Sequence, residues 1–279
     1  MKTKLLTLFV LLCSLNLLTG CNDDDENPFA PNDKVAAEFK NQFPSASHVS
    51  WETKTGYHVA DFRDGSYEVE AWFTSDGLLV LTETDIPFEA LPKPVQTSFK
   101  ESNYKNWKIE DVDKVKRIDT EVIYIIEVEQ GEKEVDLYYS ENGILIKEVF
   151  DADSDEGYQP ITIPTEITLF VSQKYPNASI MEFEREKGYF EIDILDGFIP
   201  KEIKLDEKYN WLQTEWDIRT TDLPPTVKSA IGILYPDYRL DDDDADVIDT
   251  PAGLYYVIEL EKGDREIKVK FDETGKELK

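Results

Sequence analysis

The sequence predicts an α+β fold made of tandem repeats, in each of which a helix packs on a three- to four-stranded antiparallel sheet. Three observations carry that prediction. The chain resembles itself at a shift of 132 positions: Phe43-Pro44 falls on Tyr175-Pro176, Gly56-Tyr57 on Gly188-Tyr189, Asp64-Gly65 on Asp196-Gly197, and Leu91-Pro92 on Leu223-Pro224. Apolar residues recur at helical spacing up to each Phe/Tyr signature and at every second position after it. Gly-containing dipeptides then punctuate the alternating runs where antiparallel hairpins need them.

Taken in order, the chain opens with Lys2 and Lys4 ahead of an apolar run from Leu5 to Leu18. That run is short and interrupted, which fits a secretory leader rather than a spanning helix. It ends in Leu18-Thr19-Gly20-Cys21, which resembles the lipobox of bacterial lipoproteins. The expectation is a signal peptide over 1–20 and a lipid on Cys21, which anchors the chain without spanning the membrane. Asn22-Asp23-Asp24-Asp25-Glu26 follows as part of an acidic tether over 21–32, and it resembles the signal that sends some lipoproteins to the cell surface. The expected location is therefore the outer membrane, on its cell-surface or periplasmic side.

Two domains are expected after the tether, 33–150 and 161–279, each of two repeats, joined by a charged Gly/Pro linker over 151–160. Val35/Phe39/Phe43, Val95/Phe99, Ile167/Val171/Tyr175 and Val227/Ile231/Leu234 mark one helix per repeat. Proline precedes three of them, as Leu91-Pro92, Ile163-Pro164 and Leu223-Pro224, and proline suits a first helical turn. The strands follow with period two: Val122, Tyr124, Ile126 and Val128 alternate with Ile123, Ile125, Glu127 and Glu129. Val135, Leu137 and Tyr139 likewise alternate with Glu134, Asp136 and Tyr138. Helices on one face of the sheets leave the other face to solvent.

Charge narrows the functions. Without residues 1–20, 28 cations face 59 acids, a net charge of −31. Such a surface repels phosphate backbones and anionic lipid, so neither nucleic-acid binding nor membrane contact beyond the acyl chains is expected. Cys21 is then the sole cysteine, so no disulfide forms within the chain. Two histidines, His48 and His58, and no nucleophile, zinc or phosphate-loop motif argue against an enzyme, and no cofactor is expected. Phe190 and Ile180 stand where the repeat places His58 and His48, which favours packing over chemistry.

The candidate binding residues are the aromatics that alternate away from the helices: Tyr57, Trp72, Tyr138, Tyr189 and Tyr255, set among acids. Asp151, Asp153 and Asp155 are candidates for a hard cation, although they depart from the calcium-loop pattern: the glycine comes one place late and Thr162 stands where a bidentate acid belongs. The acidic run from Asp241 to Asp244, with Asp246, reads as a charged loop.

The lipobox, the tether and repeats of the form Leu-Pro-x-x-Val-x-x-x-Phe, Tyr-Pro, Gly-Tyr and Glu-x-x-Val-x-Phe-x-x-x-Gly together resemble a known family. It is the PepSY-like, β-lactamase-inhibitor-like family of Gram-negative secreted proteins and lipoproteins. Leu223-Pro224 to Tyr235-Pro236 and Tyr255 to Gly275 carry the resemblance best; Tyr104 lacks the following proline, and Asn210 replaces the last glycine of the third repeat. The resemblance implies tandem helix-on-sheet domains without catalytic residues. The function it leaves is a protein-binding or inhibitor-type module, whose partner is an unknown envelope protein or a secreted hydrolase. The alternative is a glycan-binding accessory lipoprotein that stacks sugars on exposed Trp72 and Trp211.

Overall fold

A computed structural model describes residues 30–150, 158–240 and 244–278. Cys21 and the aspartates at 151, 153 and 155 lie outside the described residues. The first half begins with α1 (Asp33–Gln42), which runs into β1 (Ser47–Lys54), β2 (Tyr57–Asp64), β3 (Tyr67–Phe73) and β4 (Leu79–Asp85). Then come α2 (Lys93–Glu101), β5 (Lys108–Arg117), β6 (Ile123–Gln130), β7 (Lys133–Ser140) and β8 (Leu145–Phe150). The second half opens with α3 (Thr165–Lys174), followed by β9 (Ala178–Glu186), β10 (Tyr189–Asp196), β11 (Ile199–Asp206) and β12 (Trp211–Arg219). It closes with α4 (Pro225–Leu234), β13 (Arg239–Leu240), β14 (Asp244–Thr250), β15 (Gly253–Lys262), β16 (Arg265–Asp272) and β17 (Glu277–Leu278).

Each half has one antiparallel sheet. Because β4 pairs with β5, the two four-stranded runs of the first half merge into an eight-stranded meander in chain order. In the second half β12 pairs with β14, giving a nine-stranded sheet in which β13 pairs with β15. Asp244 and Asp246 are thus strand residues, with Asp246 opposite Asp217, where a loop was expected.

The helices form where their ends are satisfied and one stripe is apolar. Asn32 caps α1 by accepting from the Lys34 and Val35 amides. Phe43, Tyr175 and Tyr235 close α1, α3 and α4, each amide donating to the carbonyl four residues back. The proline after each stops the helix and pushes that residue out of the helical region. Tyr104 has no such role: α2 ends earlier, at a Ser102 cap. Each helix buries its stripe on its own sheet run, for example Val35 and Phe39 against Phe62, Ala71 and Phe73. Leu234 departs from the expected stripe. It is exposed, and Tyr235 packs on that core instead.

Glycine is required at the far hairpins. Gly143 has φ +78, and a Cβ there would lie 2.5 Å from the Pro94 carbonyl; Gly275 has φ +84, and its Cβ would lie 2.6 Å from the Thr226 oxygen. These two turns press against the N-terminal turns of α2 and α4.

The opposite face of the first sheet is not all left to solvent, which corrects the sequence expectation. Val59, Trp72, Leu81, Val115, Ile123 and Ile125 form a second core, and Met181 of β9 belongs to it. Leu195 of β10 packs on its edge. The halves also share a main-chain bond, the Glu121 amide donating to the Ile180 carbonyl at 3.0 Å.

Candidate functional site

Carboxylates stand in rows across the faces turned away from the helices. In the first sheet Asp61 pairs with Glu70, and Glu70 with Glu83. In the second sheet the row is Glu182, Asp193, Glu202 and Glu215, each directly opposite the next. Like charges in register repel, and lysines are placed between them. The Lys54 ammonium lies 2.8 Å from both Glu52 and Glu70. Lys204 lies 2.6 Å from Glu202 and 3.5 Å from Glu191. Lys147, from the first half, reaches Glu184 at 2.5 Å and Asp193 at 3.4 Å.

Two triads, Glu52/Asp61/Glu70 and Glu191/Asp193/Glu202, are close enough to hold a cation. Lys54 and Lys204 already bring positive charge to them. Burial disfavours the Lys54 ammonium, but its hydrogen bonds to Glu52 and Glu70 outweigh that and raise its pKa.

The remaining crowding appears as proton affinity. Burial, then Glu70, pushes Glu83 up to about 7. Asp113 on β5 is pushed up to about 8 by burial, then by Glu83 and Asp111, while a hydrogen bond from the Tyr158 hydroxyl pulls it down. Burial raises Asp136 to about 6, with Glu134 adding to it. Burial raises Asp193 to about 7 against the pull of Lys147. Near neutral pH these faces therefore mix protonated and ionised carboxyls, which can donate as well as accept. The arrangement suits recognition of cationic and hydrogen-bonding groups.

The five aromatics do alternate away from the helices, but not into open solvent. Trp72 is 1% exposed, which corrects the expectation of a surface tryptophan: the second half closes over it. Its indole donates to Glu70 at 2.5 Å, and Tyr57 meets it edge-on at 5.9 Å. Tyr138 joins the same core, half-buried beneath the Lys147 ammonium at 5.0 Å. Tyr189 and Tyr255 lie on the second sheet, half-buried under Lys204 and Lys270. Trp211 is half-buried, with the Lys174 ammonium 3.5 Å from its ring centre. His58 is half-buried, and its Nδ1 has no partner among the described residues. His48 is exposed.

Sequence reasoning missed Arg117, Lys147, Tyr158 and Glu182. Arg117 forms a buried ion pair with Glu182 and donates through Nε to the Gln159 carbonyl at 3.1 Å. Tyr158 sets its hydroxyl 3.4 Å from Asp113. The available signal was β6 itself: Ile123 and Ile125 are apolar on the face that was assigned to solvent.

No helix among the described residues is long and apolar enough to cross a membrane. The family described as "Putative beta-lactamase-inhibitor-like, PepSY-like" matches residues 55–147, 159–208 and 188–279. No curated protein matches the chain. Among solved structures, a BLIP-like protein from Bacteroides fragilis is 34% identical over 50% of this chain and 100% of its own, with a TM-score of 0.46. A DUF2874 family protein from Bacteroides ovatus is 29% identical over 46% of this chain and 94% of its own, with a TM-score of 0.43. A protein from Bacteroides eggerthii, described as periplasmic, is 22% identical over 43% of this chain and 89% of its own, with a TM-score of 0.41.

Proposed function

The chain belongs to the PepSY-like, β-lactamase-inhibitor-like family, and from that premise we propose that it is a non-catalytic, lipid-anchored envelope module that binds a protein partner. The contact surface is the part of the sheet faces that the two halves do not cover. One observation carries this reading: the same carboxylate row recurs in both halves, as Asp61-Glu70-Glu83 and as Asp193-Glu202-Glu215, and all of it but the covered Asp193 is only half-buried. Aligned acids destabilise a sheet, so their recurrence is better accounted for by an interaction than by folding. Beside the second row, Asp217, Asp246, Tyr255 and Glu259 extend the same face. A basic protein surface is the complementary partner, steered by charge.

The glycan alternative loses support, because stacking needs a free ring face. Trp72 is enclosed, and one face of Trp211 carries the Lys174 ammonium.

The test is capture from detergent-solubilised envelope by the chain without residues 1–20 and with Cys21→Ser. A folded variant carrying Glu202→Gln, Glu215→Gln and Tyr255→Ser runs beside it. The expected result is a protein retained by the parent, released by moderate salt and absent with the variant. Equal retention by both would remove the sheet face from the reading. Separately, Cys21→Ser in the full chain should move it from the membrane fraction to the soluble one; continued membrane retention would rule out the lipid anchor.

A further inference from the structure

On the helix side of the first sheet, the surface beside α1 is open. A cavity of about 730 Å³ opens beside α1 over β4 and β5, and a second of about 380 Å³ adjoins it. They share Phe43, Thr82 and Lys116, so they form one groove running from the end of α1 to the 86–90 segment ahead of α2. Its size is that of a small-molecule site. Phe43, Leu79, Ile118 and Tyr67 give it apolar walls. Lys114 and Lys116 stand on the helix side of β5, opposite Thr84 and Thr82. Both are exposed, and neither has an ion-pair partner among the described residues. The groove's acids are Asp64 in the second cavity and Glu38 and Asp76 in the first. Glu38 accepts from Gln42, and Asp76 faces Lys34 at 3.9 Å.

The second half serves as an internal control, because there the same space is filled. Where Thr82 faces Lys116, the second half has Thr214 facing Asp249; where Thr84 faces Lys114, it has Trp216 facing Val247. The shift that aligns the halves puts Trp211 on Leu79 and Lys174 on Gln42. Lys174 lies on the Trp211 ring and pairs with Asp249 at 3.0 Å, while Lys201 reaches the Trp216 ring at 4.8 Å. Thr214 is consequently 0% exposed, whereas Thr82 is half-buried. One copy fills the gap with its own indoles and a satisfied ion pair. The other leaves the gap open, with two lysines on its floor in a chain of net charge −29.

We propose that the gap between α1 and the 86–90 segment, over β4 and β5, is a binding groove for a small anion carried on an apolar body. The carboxylate or sulfonate meets Lys114 and Lys116, and an aromatic or aliphatic body lies along Phe43, Leu79 and Ile118. The groove is on the helix side, so this inference stands apart from the sheet-face reading.

The probe is 1-anilinonaphthalene-8-sulfonate, titrated by fluorescence against the chain without residues 1–20 and with Cys21→Ser. All described contacts lie within residues 30–278, and circular dichroism and the unfolding midpoint verify each variant's fold. The expected result is saturable one-to-one binding, weakened at least tenfold by Lys114→Ala with Lys116→Ala. Leu79→Trp with Thr84→Trp, which brings in the residues of the filled copy, should abolish it. If that crowded variant misfolds, the lysine variant alone decides, since both lysines are exposed. An absence of saturable binding by the parent, or binding unchanged by the lysine substitutions, overturns the proposal.

Discussion

The Arg117 guanidinium on β5 lies 2.8 Å from the Glu182 carboxylate on β9, and the two side chains are only 6% and 5% exposed. The second Glu182 oxygen accepts from the Phe183 amide, and Arg117 also holds the Gln159 carbonyl. A charge pair so enclosed is stable only while both members and their further hydrogen bonds are in place. It therefore fixes how the second half sits over the first sheet. The equivalent positions in the other copies are Thr250 and Ser50, which cannot form an ion pair.

Removing one member should cost far more than removing both. Arg117→Met leaves Glu182 buried and unpaired, a loss of about 3–5 kcal/mol in urea unfolding. Arg117→Met with Glu182→Leu should recover most of that loss, because two apolar groups need no partners. If the double variant is as unstable as the single, the interface does not depend on charge pairing.

The carboxyl cluster under Tyr158 should make stability depend on pH. Asp113 faces Glu83, Asp85 and Asp111 from its own sheet and the Tyr158 hydroxyl from the segment above, and its pKa is raised to about 8. A carboxyl raised in the fold contributes stability that is complete below its unfolded value of about 4. That contribution is lost as pH rises through the folded value. Asp113→Asn should therefore match the parent below about pH 4 and exceed it at about pH 8.5. The gain should be about 1–2 kcal/mol, discounted because the group is partly solvated. Parallel stability curves across that range would show that Asp113 stays ionised in the fold.

What could be read from the sequence follows from how local each feature is. Val35/Phe39, Val95/Phe99 and Ile167/Val171 were legible because a helix buries residues at its own spacing. The Gly-containing dipeptides were legible as hairpin turns, although the close approach of Gly143 and Gly275 to α2 and α4 was not. Trp72 was assigned to the right face and the wrong environment, since alternation gives a side and says nothing of what covers it. Arg117 and Glu182 lie 65 positions apart, and no periodicity links them. The groove was invisible for the same reason. Thr82 and Thr84 become informative only beside Thr214 and Trp216, once the register shows that they share a place.

Aromatic substitutions on the sheet face should separate into two classes. Trp72→Ala empties an enclosed site and should destabilise by about 3–5 kcal/mol. Tyr255→Ala removes a half-buried ring with a lysine 4.4 Å from its centre, a loss of about 1 kcal/mol. Denaturant unfolding of both variants checks this. A mild Trp72→Ala effect would mean that the second half does not close over the first sheet in solution. Binding experiments should accordingly use Tyr255, because a loss at Trp72 would reflect the fold.

The glycine turns offer a comparison in which backbone conformation is held nearly constant. Gly65 and Gly143 both have positive φ, +64 and +78, so alanine is strained at each. At Gly65 nothing lies within 4 Å of the added Cβ, whereas at Gly143 the Pro94 carbonyl carbon and oxygen are both at 2.5 Å. Those are backbone atoms of the first turn of α2 and cannot swing aside like a side chain. Gly65→Ala should therefore cost about 1 kcal/mol, the conformational term alone. Gly143→Ala should cost about 2–4 kcal/mol, since the helix must move away from the β7–β8 turn as well. Thermal unfolding of the two variants measures the difference directly. Equal losses would mean that the β7–β8 turn yields without disturbing α2, and that glycine is required there for its conformation only.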